Sequence, residues 1–210
     1  MKVDKIVVIT VPMMNPEKVE AIVYPVDGNK AIEYGKPVRC PINGVLAKTL
    51  KKGERVKVIY IMTISDNSEC ELNKKDFIDE LEGINAEIGA ILSYDTVDIE
   101  FKATKQTYNK LITDLAEKVP EMSELYIDYT YGSKPEILSL FCALRFVEEF
   151  REAVVQYIIY GKVEFTKTGQ KENPMLFDST SLYYLFKLMG TIGAEDAETA
   201  MGILKDFFAV

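Results

Sequence analysis

Asp128, Thr130, Gly132, Ser133 and Lys134 crowd together between the apolar run Leu125-Tyr126-Ile127 and a second apolar stretch that opens at Pro135. At a strand-to-helix junction these residue types suit one task, holding an anion. A glycine lets backbone come close to a ligand, hydroxyls donate hydrogen bonds, and a lysine adds charge. The unpaired N–H groups and dipole of the helix favour phosphate. The same residues also describe an ordinary turn with an exposed lysine, and local chemistry leaves both readings open. Gly132 stands alone, so the turn is neither a GxxxxGK[ST] phosphate loop nor a GxGxxG dinucleotide fingerprint.

Histidine is absent from all 210 residues. That removes Ser-His-Asp and Cys-His nucleophile activation, histidine metal ligation and histidine-dependent ribonuclease chemistry. Cys40, Cys70 and Cys142 are odd in number and in no CxxC spacing, so they read as reduced packing residues. The acidic clusters Glu148-Glu149 and Asp76, Asp79, Glu80 read as solvated helix faces. No metal site and no cofactor is expected. The net charge of −8 disfavours duplex DNA, which is bound by neutralising many phosphates. No apolar run is long enough to span a bilayer and nothing resembles a signal peptide, so a soluble cytoplasmic protein is expected.

The elements that must position the turn follow from periodicity. Lys5–Thr10, Arg55–Met62, Thr96–Phe101, Glu124–Asp128 and Val154–Tyr160 read as strands. Pro41–Lys52, Lys74–Gly83, Thr104–Val119 and Pro135–Phe150 read as helices. Ala21–Tyr34, around Asp27-Gly28-Asn29, reads as a β-hairpin insertion. Thr166–Pro174 reads as a loop or linker, followed by helices at Ser179–Gly190 and Asp196–Phe208 whose apolar faces need a partner. Tyr183-Tyr184 and Phe207-Phe208 read as helix packing or dimer contacts. The class is α/β, a doubly wound, mostly parallel sheet with a hairpin insertion and a short C-terminal helical appendage, binding ligand outside the strand carboxyl ends.

The run Asp128-Tyr-Thr130-Tyr-Gly132-Ser-Lys134-Pro135, with Tyr160-Gly161 after it, resembles the turn of the CRISPR-associated Rossmann fold (CARF) domains of type III CRISPR systems. Members carry an Asp-x-Thr-His-Gly-[aromatic]-Arg-x-x-Pro type turn. Here Tyr131 replaces the histidine, Lys134 stands for the arginine, and proline follows the lysine directly. The resemblance implies a Rossmann-like domain over 1–165, with 166–210 a linker and C-terminal helices that contact a dimer partner or an effector. It implies a homodimer that binds cyclic oligoadenylate across its two-fold axis as an antiviral second messenger. It places ligand contacts at Thr10, Pro12 and Met13, at Thr63, Ser65 and Asp66, and at Thr130, Tyr131, Gly132, Ser133 and Lys134. Thr10 and Thr63 are equally readable as plain strand ends, and Met13-Met14 as an adenine contact or loop packing.

Many relatives carry a HEPN ribonuclease whose RxxxxH-type site needs histidine. This chain has none, so the effector is missing, is supplied by another polypeptide, or the activity resides in the sensor itself. A second implied activity is a metal-independent ring nuclease, in which a ribose 2′-OH attacks the adjacent phosphate while Lys134 and Ser133 stabilise the added charge. A third reading is a Rossmann-like enzyme acting on a nucleotide or sugar phosphate.

Overall fold

The computed structural model describes residues 4–64, 68–102, 104–167, 171–191 and 193–208. Lys5–Thr10 forms β1 and all six of its residues are buried, as a Val/Ile run covered on both faces requires. β1 lies between β3 (Arg55–Ile64) and β5 (Glu124–Asp128), parallel to both. With β2 (Val26–Asp27), β4 (Ile91–Glu100), β6 (Val154–Phe165) and β7 (Lys171–Asp178), the sheet runs β2-β7-β6-β5-β1-β3-β4. Among the described strands only β6 and β7 pair antiparallel. The doubly wound α/β class holds.

Side-chain alternation divides the core into two layers. Val7 and Ile9 of β1 pack with α1 (Pro41–Thr49) and α2 (Glu69–Ile88). Ile6 and Val8 pack on the other face with α3 (Lys105–Lys118), α4 (Lys134–Arg151) and Tyr183 of α5 (Thr180–Met189). In α3, Leu111 and Leu115 are buried at helical spacing, and Thr104 accepts the Thr107 N–H at 3.1 Å as the N-cap. The last helix, α6 (Ala197–Phe208), leaves Met201, Ile203 and Phe207 partly exposed.

Several elements depart from the sequence reading. The expected hairpin over Ala21–Tyr34 is instead a flap. It closes through one antiparallel bridge, Ile22 to Val38, a 3-10 turn at Lys30–Ile32, and β2 beside β7. Tyr24, Val26, Ile32 and Val38 bury against the α1 layer, so the segment covers the sheet rather than pairing with itself. Gly83 does not stop α2, which runs on to Ile88 because Asn85 is still buried, and Gly89 at φ +81° ends it. β4 starts earlier than expected. β6 does not end at Tyr160-Gly161 but continues to Phe165, and the expected linker contributes half of β7.

Among the described residues no helix is long and apolar enough to cross a membrane. Phe77 is fully enclosed beneath α2, whereas Leu72 on the same helix is exposed. Phe77→Ala is expected to lower stability in urea unfolding by about 3–5 kcal/mol, while Leu72→Ala should change it by no more than about 0.5 kcal/mol.

Candidate functional site

The helices that follow β1 and β3 cover one face of the sheet, and those that follow β4 and β5 cover the other. The winding therefore reverses between β1 and β5. Loops diverge there and leave a crevice at the strand carboxyl ends. The loop after Thr10 and the turn after Asp128 both emerge at this point.

Asp128 fixes the geometry. It is 1 % exposed. Its Oδ1 accepts the Thr130 N–H at 2.9 Å and its Oδ2 accepts the Ile42 N–H at 3.0 Å. Ile42 lies in the first turn of α1, whose N-cap residue Cys40 makes no side-chain cap. Glu80 of α2 accepts Arg39 N–H at 2.6 Å, Cys40 N–H at 3.2 Å and the Asn43 side-chain Nδ2 at 2.8 Å, while the Asn43 N–H donates to Cys40 O at 2.9 Å. Glu80, read from sequence as a solvated acid, is thus a cap for another helix. Burial pushes the Asp128 carboxyl up to about 6 against the opposing hydrogen bonds from Thr130 and Ile42. Burial also raises Glu80.

The turn is braced from both sides. Thr10 is buried, and its hydroxyl donates to Asp128 O and accepts the Tyr131 N–H, each at 3.3 Å. The Thr130 hydroxyl accepts the Gly161 N–H at 2.9 Å. A Cβ on Gly161 would stand 2.6 Å from Pro41 Cγ, so only glycine lets β6 approach this closely. Gly132 is close-packed too: a Cβ there would lie 3.1 Å from Thr10 Cγ2 and 3.2 Å from Ile137 Cγ1. Tyr131 turns inward, with its ring 6.1 Å from Phe77 and its hydroxyl donating to Arg39 O at 3.5 Å. Burial raises its phenol. Thr10, Thr130, Tyr131 and Gly132 therefore build the turn with contacts inside their own chain.

The N-terminus of α4 holds a carboxylate of its own. Ser133 Oγ accepts the Glu136 N–H at 3.4 Å, and Glu136 Oε2 accepts the Ser133 N–H at 2.7 Å. This is a reciprocal capping box, and Glu136 is 8 % exposed within it. The seat that the sequence offered to a phosphate is thus filled from within, and Pro135 has no N–H to add. The signal was present in the spacing Ser133-x-x-Glu136. Lys134 points to solvent with its side chain exposed.

A cleft of about 370 Å³ opens beside this turn, lined by Met13, Thr63, Ile99 to Lys102, Tyr108, Ser133, Pro135 and Glu136. It brings together Met13, Thr63 and Ser133 of the expected contacts. Pro12 is buried behind it, its carbonyl held by Asn73 Nδ2 at 3.0 Å. Ser65 and Asp66 lie outside the described residues. The loop from β4 to α3, with Phe101 and Lys102, and Tyr108 in the first turn of α3 were missed, although that loop also leaves a strand carboxyl end. Its walls mix Met13, Ile99 and Phe101 with the hydroxyls of Thr63, Ser133 and Tyr108 and with Glu100 and Lys102, suited to a flat ring carrying polar groups. No group of three or more His, Cys, Asp or Glu among the described residues is placed to hold a metal ion.

Asp128 sets a pH test. Its pKa is near 6 in the folded protein, against about 4 when unfolded, so the folded state binds more protons in between. Its stabilising share is present below the lower value and lost as pH rises through the upper one, with a slope of at most about 1.4 kcal/mol per pH unit. Asp128→Asn is expected to flatten that slope between about pH 4 and 6 in denaturant titrations; an unchanged slope would show a solvated carboxylate. No protein-family model matches the chain and no curated protein sequence matches it, so a function has to come from its residues and their geometry.

Proposed function

We propose that the chain is a CARF-type sensor: a cytoplasmic homodimer that binds cyclic oligoadenylate in type III CRISPR antiviral defence and passes the signal to an effector on another polypeptide. The observation that carries this reading is the placement of the Asp128–Lys134 turn at the sheet's switch point, with a cleft of about 370 Å³ opening at Ser133 and a solvent-exposed lysine next to it.

The contacts divide by what each side chain is free to do. Met13, Phe101 and Tyr108 offer apolar and aromatic surface to a base. Lys134, with Lys102 across the cleft, offers charge to phosphate. Thr10, Asp128, Thr130 and Gly161 hold these groups in place and do not face the ligand. Since Glu136 already occupies the α4 amides, phosphate is met by lysine side chains rather than by backbone.

Binding is favoured over ring cleavage because the Ser133 hydroxyl is engaged as a helix cap. Calorimetry with cyclic tetra- and hexa-adenylate is expected to give micromolar or tighter binding. Lys134→Ala should weaken it about tenfold or more, as loss of a charge-assisted bond does, with Lys134→Arg restoring most of it. A folded protein that binds neither ring contradicts the proposal. Chromatography of the ligand after incubation separates the two activities: an intact ring fits a sensor, and a linear product ending in a 2′,3′-cyclic phosphate fits a ring nuclease.

A further inference from the structure

Glu100 ends β4 and is exposed. In register it stands beside Ile64, one position past the pair Thr63 and Ile99. Ile99 is buried in the layer of α3 and α4, and the alternation of side chains leaves Glu100 to solvent at the last position of the strand. It lines the cleft of about 370 Å³ together with Thr63, Lys102 and Tyr108. It also lines an adjoining recess of about 320 Å³ that reaches Gln106, Thr107 and Lys110 of α3. A carboxylate on the wall common to both meets a ligand in either.

Other acids of the chain are committed to partners within it. Asp95, also on β4, pairs with Lys57 at 3.0 Å and Lys118 at 2.8 Å. Glu136, on the same cleft, accepts the Ser133 N–H. Glu148 of α4, read from sequence as solvated, is almost wholly buried and accepts from Tyr183 OH at 2.5 Å and Lys187 Nζ at 3.4 Å. No hydrogen bond or ion pair with another described residue engages the Glu100 carboxylate. An ionised carboxylate only accepts hydrogen bonds. On a cleft wall it therefore selects N–H donors and repels carbonyl oxygens and phosphate.

We propose that Glu100 selects the base in this cleft, its carboxylate accepting the exocyclic amino hydrogens of adenine. Acids read the amino groups of bases in this way. Adenine presents its 6-amino donor beside the N7 acceptor, a pair that the Glu100 carboxylate and the Tyr108 hydroxyl match, since both residues line the cleft. Guanine presents a carbonyl oxygen beside N7, and the carboxylate repels it. The contact rests on the reading of the cleft as a nucleotide site and adds the choice of base to it.

Titration of the full chain by nuclear magnetic resonance, with adenosine 5′-monophosphate and with purine riboside 5′-monophosphate, isolates the contact, because the second nucleotide lacks only the amino group. The amides of Ile99 to Lys102 are expected to shift, and the amino nucleotide should bind about tenfold more tightly, as for one hydrogen bond to a charged group. Glu100→Ala changes an exposed side chain, so thermal unfolding should show it folded. In that variant the two affinities should agree to within about twofold. Removing the charge also eases repulsion on phosphate, but this acts on both nucleotides alike and leaves their ratio to report the amino contact. Equal affinities in the parent protein, a ratio that Glu100→Ala leaves unchanged, or no shift with either nucleotide overturns the inference. Cyclic oligoadenylate bound by a protein that ignores the amino group leaves the sensor reading standing without this contact. A protein that selects the amino nucleotide but binds neither ring refutes the messenger and leaves the contact in place.

Discussion

A buried carboxylate with no cation beside it is costly unless its oxygens are hydrogen-bonded, and Asp128 meets that condition through two amides from separate parts of the chain. Thr130 lies two residues on and Ile42 lies 86 residues back. One side chain thereby sets where α1 begins relative to the end of β5 and which way the following turn leaves the sheet. The elevated pKa records the desolvation that this arrangement bears. Thr10, bonded to the carbonyl of Asp128 and the amide of Tyr131, extends the same constraint to β1.

The arrangement limits what the crevice can recognise. The N-termini of α1 and α4 both face it, and both already hold carboxylates, Asp128 and Glu80 at one and Glu136 at the other. Helix amides attract anions, but here the anions belong to the chain. Recognition is left to side chains at the rim and to the apolar walls of the cleft. The residues nearest the switch point, Thr10, Asp128, Thr130 and Gly161, bond to one another within the chain, which leaves the proposed ligand to the side chains at the rim.

Much of this could be read from the sequence, and the failures share a cause. β1 and β5 declare themselves as continuous apolar runs, and α3 and α4 by their periodic apolar faces. β4 and β7 are exposed along much of their length, so their polar positions look like loop. The flap over Ala21–Tyr34 has hairpin punctuation but spends its apolar residues on the sheet beneath it. The turn was found from local chemistry, while the roles of its residues depended on partners far away in sequence. Thr10 meets Asp128 across 118 residues, and Thr130 meets Gly161 across 31. The capping box was the exception, since both of its members lie within four residues.

The central claim is that Asp128 caps α1 from another strand. The second residue of a helix has no acceptor within that helix, so slow amide exchange at Ile42 needs an acceptor from elsewhere. Native-state hydrogen exchange is expected to find the Ile42 and Thr130 amides protected together, and both released by Asp128→Ala. If Ile42 exchanges at the rate of a free amide in the unaltered protein, the cap does not exist and the account of this edge of the sheet is wrong.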